Sequence, residues 1–400
     1  MFIEIHSLQT FSAANLNRDD ANAIKTITFG NTLRQRVSSQ CIKRSIRKNE
    51  IFATEFAKQT AVRTKKFAQE VFNVLETPKP SADQLLEMSL FCKALGLGEL
   101  ELKKSESKKK SAKKGEDSDS EGTGGAGGLA GADVSDFPSL KTLFFFSDEE
   151  IKGAAEAFKS EGMKGEKAAS AFGKLRKSFS MAPEVALFGR MAADGPKFNV
   201  DAAVQVAHGI STNEIDICDD YFTAVDDLSD RNESAGAAMI GTTQVASPCL
   251  YRYACISWET LKSNLGNSEI DAKTCVNAFL RAFVDAIPTG KAAGTAPQSR
   301  PAFVMVTVGK SQPMNLANSF ERAVVGDEYG LTDQSALKLG SYLVRMNKMY
   351  DFSSSRKSFF CEALDEKASQ EFGQKVLDSG CIKTKNISEL LGKTVELLNV

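Results

Sequence analysis

The segment from Asn31 to Lys48 carries six cations and no acid, in a chain whose formal net charge is only -1. Its spacing predicts a helix over residues 40–48. At about 100° per residue, Ile42 and Ile46 fall on one side of this helix and the charged side chains fall on the other. The helix must therefore lie with a narrow apolar edge against a second layer of structure and turn a row of charge outward.

A row of cations along a helix suits a phosphate chain. Arginine offers a fork of donors and lysine a point charge, and a helix that begins after Ser38 or Ser39 as N-cap adds exposed backbone N–H groups. A solvated surface helix is the alternative. The absence of acids favours a phosphate site, because exposed helices usually mix charges to avoid i, i+4 repulsion of a few tenths of a kcal/mol.

Composition limits the class of protein. With 400 residues, 42% of them hydrophobic, the chain can bury one large core or two to three smaller ones and is globular. The balance of 50 Lys+Arg against 51 Asp+Glu excludes a wholly basic surface, so a polyanion site requires local clustering. Eight cysteines without a C-x-x-C pair and two histidines predict reduced thiols, no structural metal and no cofactor.

The chain contains no signal-peptide pattern and no apolar run long enough for a bilayer span. We therefore expect a soluble, cytoplasmic protein without a membrane partner.

Alternating or apolar segments predict the strands of the core. We expect strands at residues 2–9, 200–210, 248–257 and 302–308, and a second helix at residues 270–287. With the basic helix, the order is strand, helix, strand, strand, helix, strand. This is the ferredoxin-like order, which RNA-binding RRM sheets also use. Residues 10–33 are predicted to form a loop, and residues 315–398 mainly helices packed on the core.

Two long insertions interrupt this core. Residues 52–188 show helical spacing, with Ser147 and Glu150 as a capping box. Within them, residues 103–133 are rich in lysine, acids and glycine, which predicts a disordered tether. The second insertion, from 211 to 247, is too long for an ordinary hairpin loop. Its aromatic pair at 221–222 lies between acids and could plug a neighbouring molecule or wedge between bases.

Neither histidine is predicted to be a ligand. His6 alternates with apolar residues in the first strand and is expected to be half-exposed. His208 falls on the apolar face of the strand at 200–210 and is expected to be packed in the core.

Five motifs resemble, in order, those of the backbone subunit of type I-E CRISPR Cascade, the CasC family. They are LNRDD (16–20), RVSSQCIKRSIR (36–47), GRMA (189–192), YFTAVDDL (221–228) and YRYA (251–254). The resemblance implies an α+β fold with an RRM-like (ferredoxin-like) palm, a large helical insertion as fingers and a long β-hairpin insertion as thumb. The implied segments are palm 1–51, fingers 52–188, palm strand 189–212, thumb 213–247, and remaining palm with C-terminal helices 248–400.

The resemblance also implies a function. Copies of such a subunit polymerise along CRISPR RNA and bind its phosphates without reading sequence. The thumb displaces a nucleotide at regular intervals, so that target DNA pairs with the guide in short segments. The implied partners are CRISPR RNA, the paired target strand, further copies of the chain and other Cascade subunits, and no residue is catalytic.

The basic segment and the resemblance together define the candidate residues. The predicted RNA-binding residues are Arg18, Lys25, Arg34, Arg36, Ser38, Ser39, Gln40, Lys43, Arg44, Arg47 and Arg190. The residues predicted to line or form the wedge are Met191, Phe222, Thr223 and Ile240.

A metal-dependent RNA nuclease is the alternative function, and a plain interaction module without RNA is a third. Carboxylates for Mg²⁺ could come from Asp216, Asp219, Asp220, Asp226 and Asp227, and related backbone subunits of type III systems cut RNA with a thumb aspartate. The FTAVDDL motif instead matches the non-cutting family. The glycine-rich run at 122–128 lacks the G-K-[ST] ending of a P-loop, and two histidines in predicted strands suggest no Ser/His/Asp set.

Overall fold

A computed structural model of the protein describes residues 1–57, 59, 61–101, 137–192, 195–224, 239–352 and 355–399. The chain forms two compact units. We call Met1–Ala57, Ala186–Phe188 and Ala202–Val400 the sheet unit, and Lys58–Val185 with Gly189–Asp201 the helical unit. The tether predicted at 103–133 lies outside the described residues.

The secondary structure is mixed. In chain order the strands are β1 (Phe2–Thr10), β2 (Thr26–Phe29), β3 (Thr32–Val37), β4 (Ala61–Thr64), β5 (Leu100–Glu101), β6 (Ser139–Leu140), β7 (Phe144–Ser147), β8 (Val204–Val206), β9 (Gly209–Ser211), β10 (Cys218–Ala224), β11 (Met239–Val245), β12 (Cys249–Ser257), β13 (Phe303–Gly309), β14 (Arg356–Glu362) and β15 (Cys381–Lys383). The helices are α1 (Ser39–Arg47), α2 (Glu50–Glu55), α3 (Phe67–Val74), α4 (Ala82–Ala94), α5 (Asp148–Ser160), α6 (Gly165–Leu175), α7 (Pro183–Phe188), α8 (Trp258–Asn264), α9 (Glu269–Asp285), α10 (Ala292–Thr295), α11 (Gly330–Tyr350), α12 (Glu366–Leu377) and α13 (Ile387–Glu396).

One mixed sheet organises the sheet unit. Its strand order is β15-β14-β13-β1-β12-β9-β3-β2, and β8 also pairs with β12. Neighbouring strands are antiparallel except β14 and β15, which are parallel. The predicted strands at 2–9, 248–257 and 302–308 are confirmed as β1, β12 and β13, and the helix predicted at 270–287 is confirmed as α9. The fold is α+β.

Helices cover both faces of the central strands. Leu8, Tyr251 and Phe303 belong to a buried cluster that includes residues of α11 and α12, while α9 packs on the opposite face, where Arg252 of β12 lies 4.5 Å from the centroid of the Phe283 ring. Among these strands β13 carries the apolar run typical of a strand buried on both faces, whereas β1 also buries the polar side chains of Glu4, His6 and Gln9.

The tyrosines of the YRYA motif hold a buried polar cluster together. Leu316 N–H donates to the Tyr251 hydroxyl (3.0 Å), which is also hydrogen-bonded to Nδ1 of His6 (2.8 Å). Tyr253 donates to Glu4 (2.8 Å). The prediction that His6 is half-exposed is wrong, because its side chain is only 2% exposed beneath these hydroxyls.

The loop predicted at 10–33 is wrong in its second half. Strands β2 and β3 form a hairpin across Gly30 and Asn31, whose φ angles are 60° and 64°, a conformation that favours glycine and asparagine in tight hairpin turns. The strand β2 lies at the edge of the sheet and none of its residues is buried. The sequence of β2, Thr-Ile-Thr-Phe, does alternate, but it is only four residues long, the lower limit of an alternation that indicates a strand.

Two further strand predictions need correction. The strand predicted at 200–210 is divided into β8 and β9, and His208 between them is exposed rather than packed. The C-terminal part is mainly helical as predicted, but β14 and β15 extend the sheet within it.

The helical unit has its own core. Aromatic rings dominate it: Phe91 lies near Phe67, Phe158 and Phe172, with centroid distances of 6.4, 5.8 and 6.0 Å. The predicted capping box is confirmed, since Ser147 and Glu150 exchange hydrogen bonds of 3.0 and 3.1 Å at the start of α5. Strand pairs β4–β7 and β5–β6, which helical spacing did not predict, also belong to this unit. No helix in the described ranges is both long and apolar enough to cross a membrane.

Arg34 serves the fold and is unsuited to the RNA contact that the sequence predicted for it. Its side chain is fully buried, and its guanidinium donates to the carbonyl oxygens of Ser211 (3.0 Å), Thr212 (2.8 Å) and Phe320 (3.0 Å). Arg34 therefore joins β3 to the end of β9 and to the segment around residue 320.

Replacement of Arg34 tests this structural role. The Arg34→Ala variant leaves several buried carbonyls without donors, so we expect it to lower the free energy of unfolding by about 3 kcal/mol. Urea denaturation without RNA measures the change. The Arg36→Ala variant is the control, with an expected loss below about 1 kcal/mol, because the Arg36 side chain is only half-buried. Equal losses in the two variants would contradict the assignment.

The burial of His6 predicts a pH dependence of stability. Burial, with a smaller contribution from the Arg356 guanidinium, lowers the pKa of His6 to about 3, whereas an unfolded histidine has a pKa of about 6.5. The unfolded chain therefore binds the extra proton between these values, and stability falls as pH falls from 6.5 toward 3, by at most about 1.4 kcal/mol per pH unit. We expect His6→Gln to flatten the unfolding profile from pH 7 to 5. Parallel profiles would mean that His6 titrates normally in the folded protein.

Candidate nucleic-acid interface

The helix α1 has the two-sided character that its sequence predicted. It spans Ser39–Arg47, and its buried residues are Ile42 and Ile46. Ser38 is the N-cap, and its hydroxyl accepts from Cys41 N–H (3.3 Å). No acid lies in the first turn of α1, and cations occupy its last turn, where the helix dipole stabilises positive charge.

The loop that carries the LNRDD motif is attached to the start of α1. Asn17 accepts from Ser38 N–H through Oδ1 (2.9 Å) and from Lys25 N–H through its carbonyl oxygen (3.0 Å). Lys25 in turn accepts from Arg36 N–H (2.8 Å). The side chain of Arg18 donates to Asn22 (3.2 Å). These bonds bring Arg18 and Lys25, distant in sequence from α1, into the same surface.

We call the cations assembled in this way the basic surface. Its members are Arg18, Lys25, Arg36, Lys43, Arg44 and Lys48. Within the described ranges, none of them forms an ion pair with a carboxylate. Burial lowers the pKa of Lys43. Arg47, also predicted to bind RNA, is half-buried on the same helix.

The polar side chains predicted to contact RNA differ in whether they already have a role within the protein. The Ser38 side chain is 8% exposed and its hydroxyl serves the cap, whereas Ser39 is half-buried and donates to the exposed Gln40 (3.3 Å). A cleft of about 580 Å³ adjoins the outer side of α1 and is lined by Arg18, Arg44 and Lys48, among others.

The strands β10 and β11 form an exposed antiparallel hairpin. Phe222 pairs with Gly241, and an added Cβ on Gly241 would lie 2.4 Å from the Phe222 ring, so the ring covers the glycine. Tyr221, Thr223 and Ile240 lie on the other face of the hairpin, since directly paired residues share a face and neighbours alternate. Three of the wedge residues, Phe222, Thr223 and Ile240, therefore occupy both faces of one exposed hairpin.

The sequence did not predict the residue that attaches this hairpin to the LNRDD loop. Gln244 of β11 accepts from Ile24 N–H (3.1 Å) and donates to Asp219 of β10 (3.2 Å). Its backbone carbonyl accepts from Asn15 Nδ2 (2.8 Å). A glutamine inside a polar excursion gives no signal of such a role, which depends on contacts between distant segments.

The GRMA motif lies in the helical unit and separates into an anchor and an exposed side chain. Arg190 is 6% exposed and donates to Phe198 O (2.8 Å), Phe145 O (2.7 Å) and Glu150 (2.8 Å). Its predicted RNA contact is therefore replaced by contacts within the protein. Met191, the next residue, is 85% exposed, as a wedge or a docking side chain requires.

The aspartates of the nuclease alternative do not form a described metal site. Asp216, Asp219 and Asp220 are exposed, and Asp226 and Asp227 lie outside the described residues. In the described part of the chain, no group of three or more His, Cys, Asp or Glu side chains is arranged to hold a metal ion.

Comparison with known proteins identifies the family to which the chain belongs. The chain is similar along its whole length to a subunit of a structure described as a CRISPR RNA-guided surveillance complex, pre-nicking, with 27% identity, a TM-score of 0.78 and 100% of both chains covered. A chain from a second CRISPR RNA-guided surveillance complex has the same fold, with 23% identity, a TM-score of 0.68, and 99% of this chain and 100% of that chain covered. No curated protein matches the chain in sequence. Residues 3–389 match the family of CT1975-like proteins, and the chain therefore belongs to that family.

Proposed function

We propose that this chain is a non-catalytic backbone subunit of a type I-E CRISPR Cascade complex. In this proposal it binds the phosphates of CRISPR RNA independently of sequence and polymerises along that RNA. Its β10–β11 hairpin acts as a thumb that displaces nucleotides periodically, so that target DNA pairs with the guide between them. Similarity to subunits of CRISPR RNA-guided surveillance complexes supports a CRISPR RNA-binding component, and the five sequence motifs support the type I-E assignment.

The basic surface is the observation that carries the proposal. Six cations from the LNRDD loop, β3 and α1 lie together, and none forms an ion pair with a carboxylate among the described residues. Unpaired cations at this density repel each other. A phosphate chain removes that repulsion and gains from counterion release, which is independent of base sequence.

The sheet supports the proposed RRM-like palm. Reduced to the segments of the predicted core, the sheet order is β13-β1-β12-β9, with α1 after β1 in sequence and α9 between β12 and β13. This is the fourth, first, third and second strand of a ferredoxin-like unit, a fold used for RNA binding.

The hairpin supports the proposed thumb and the proposed contact with further copies or RNA. Tyr221, Met239 and Ile240 are 62%, 57% and 61% exposed, and an isolated two-stranded hairpin with apolar residues on both faces is only marginally stable in water. Apolar side chains inserted between bases are a common way to unstack and bend a nucleic acid. The described thumb strands thus present the side chains that such a wedge needs.

A metal-dependent nuclease that uses the hairpin aspartates is the alternative function. Incubation of the purified chain with single-stranded RNA and Mg²⁺ separates the two. We expect intact RNA, and cleavage that Asp219→Ala or Asp220→Ala abolishes would replace our proposal.

Charge reversal on α1 tests the proposed RNA contact. We expect the K43E/R44E/R47E variant to lose RNA-dependent assembly and to bind single-stranded RNA at least about a hundredfold more weakly, because three phosphate contacts become repulsive. Filter binding and the nucleic acid that co-purifies with the chain provide the measurements. Thermal unfolding without RNA should show a modest loss of stability, because glutamates in the last turn oppose the helix dipole, but α1 should stay folded since Ile42 and Ile46 still anchor it.

A variant with the same change in charge at other helices is the control. R281E/R345E/K348E alters exposed cations on α9 and α11 and should retain RNA binding within about fivefold. If both triple variants bind equally well, or if the α1 variant still co-purifies with RNA at wild-type stoichiometry, α1 is not the contact.

A further inference from the structure

The exposure of His208 results from a β-bulge. Val206 of β8 pairs with Ala254, but Ile210 of β9 pairs with Tyr251, so the register against β12 advances by one residue between them. Ala207 N–H still donates to Tyr253 O (3.0 Å), which leaves His208 and Gly209 together opposite Arg252. A bulge of this kind re-aims a side chain, and here it turns His208 away from the core that the alternation predicted for it.

The bulge adjoins the start of α1. Gly209 pairs with Val37, the last residue of β3. Nδ1 of His208 lies 3.3 Å from Ser39 N and 3.3 Å from Arg36 Nη1. Both of these nitrogens carry hydrogens and neither is an acceptor. Nδ1 must therefore be the acceptor, and the single proton of the neutral ring resides on Nε2.

The Nε2–H group is left as an outward donor. The two ring nitrogens point in nearly opposite directions, and within the described ranges no partner lies on Nε2. Burial, Arg36 and Lys25 lower the pKa of His208, which keeps the ring neutral at neutral pH. The same two cations form no ion pair with a carboxylate of the described residues, so an anion beside them is stabilised there.

We propose that Nε2–H of His208 donates a hydrogen bond to a phosphate oxygen of the RNA held by the basic surface. The inference rests on the proposed function and adds one residue to the RNA contact. His208 contributes no charge in this role. The contacts of Nδ1 with Ser39 and Arg36 orient the ring. The Nε2–H group then adds a directional hydrogen bond to the phosphate, which the neighbouring cations attract only electrostatically.

Two amide replacements distinguish this role from simple capping of α1. In the H208N variant, the asparagine side-chain oxygen takes the place of Nδ1, and the outward donor is lost. In Gln, the amide nitrogen reaches the place of Nε2. For the full-length chain and a labelled single-stranded RNA, we expect H208Q to bind within about twofold of the wild type and H208N about tenfold more weakly, the effect of one hydrogen bond to a charged group. The reverse order, or equal binding by both variants, would overturn the proposal.

The salt dependence provides a second readout. Loss of a neutral donor releases no counterion, so H208N should keep the wild-type slope of log affinity against log salt. Lys25→Ala should reduce the magnitude of that slope by about 0.7, as expected for one phosphate contact on a single strand. A reduced slope in H208N would assign it an electrostatic effect instead.

A third measurement needs no variant. The chain has only two histidines, so ¹⁵N-histidine NMR resolves both rings. We expect the Nε2–H tautomer at His208, and added RNA should shift Nε2 of His208 while leaving His6 unchanged. Unchanged His208 signals in RNA-bound protein would reject the inference. If instead the wild type binds no RNA at all, the proposed function itself fails, and the two failures are distinguishable.

Discussion

Hydrogen bonds within the protein fix the chain where β3 leads into α1, and the position of the basic surface depends on these bonds. Arg34 fastens β3 to three carbonyl oxygens, and Asn17 accepts from Ser38 N–H where the helix begins. Ile42 and Ile46 then anchor the inner edge of α1. These groups are hydrogen-bonded or packed within the protein. The outer cations form no ion pair with a carboxylate among the described residues, so their charge remains available to an external anion.

The arginines of this chain have two different roles, which the neighbouring residues in the sequence do not distinguish. Arg34 and Arg190 are buried and direct their donors to carbonyl oxygens or to Glu150, whereas Arg36 is half-buried and Arg44 is exposed. The residue after Arg190, Met191, is 85% exposed, whereas the residue after Arg34, Gln35, is buried. The buried arginines therefore serve the fold, and the exposed or half-buried ones remain available to a ligand.

The predictable elements were those with a repeating apolar pattern. The strands β1, β12 and β13 and the helices α1 and α9 bury one or both faces, and burial imposes a period that the sequence displays. The hairpin of β2 and β3 was missed because β2 buries no residue and the buried part of β3 is largely polar, with Arg34 and Gln35 beside Val37. The bulge at His208 was missed because the sequence alternation runs through it to Ile210, whereas the inserted residue moves the buried positions from Val204 and Val206 to Gly209 and Ser211.

Local sequence was sufficient to determine a helix with cations on one side, an apolar edge on the other and an N-cap at Ser38 or Ser39, since each depends on residues within a few positions. Only the tertiary structure decided which cations reach the surface and which distant segments join them. Lys25 is joined to Asn17 and Arg36 by backbone hydrogen bonds, His208 contacts Ser39 from 169 positions away, and Arg34 donates to carbonyl groups 177 and 286 positions away. Such contacts depend on the order of the strands in the sheet, which cannot be read from the local periodicity of the sequence.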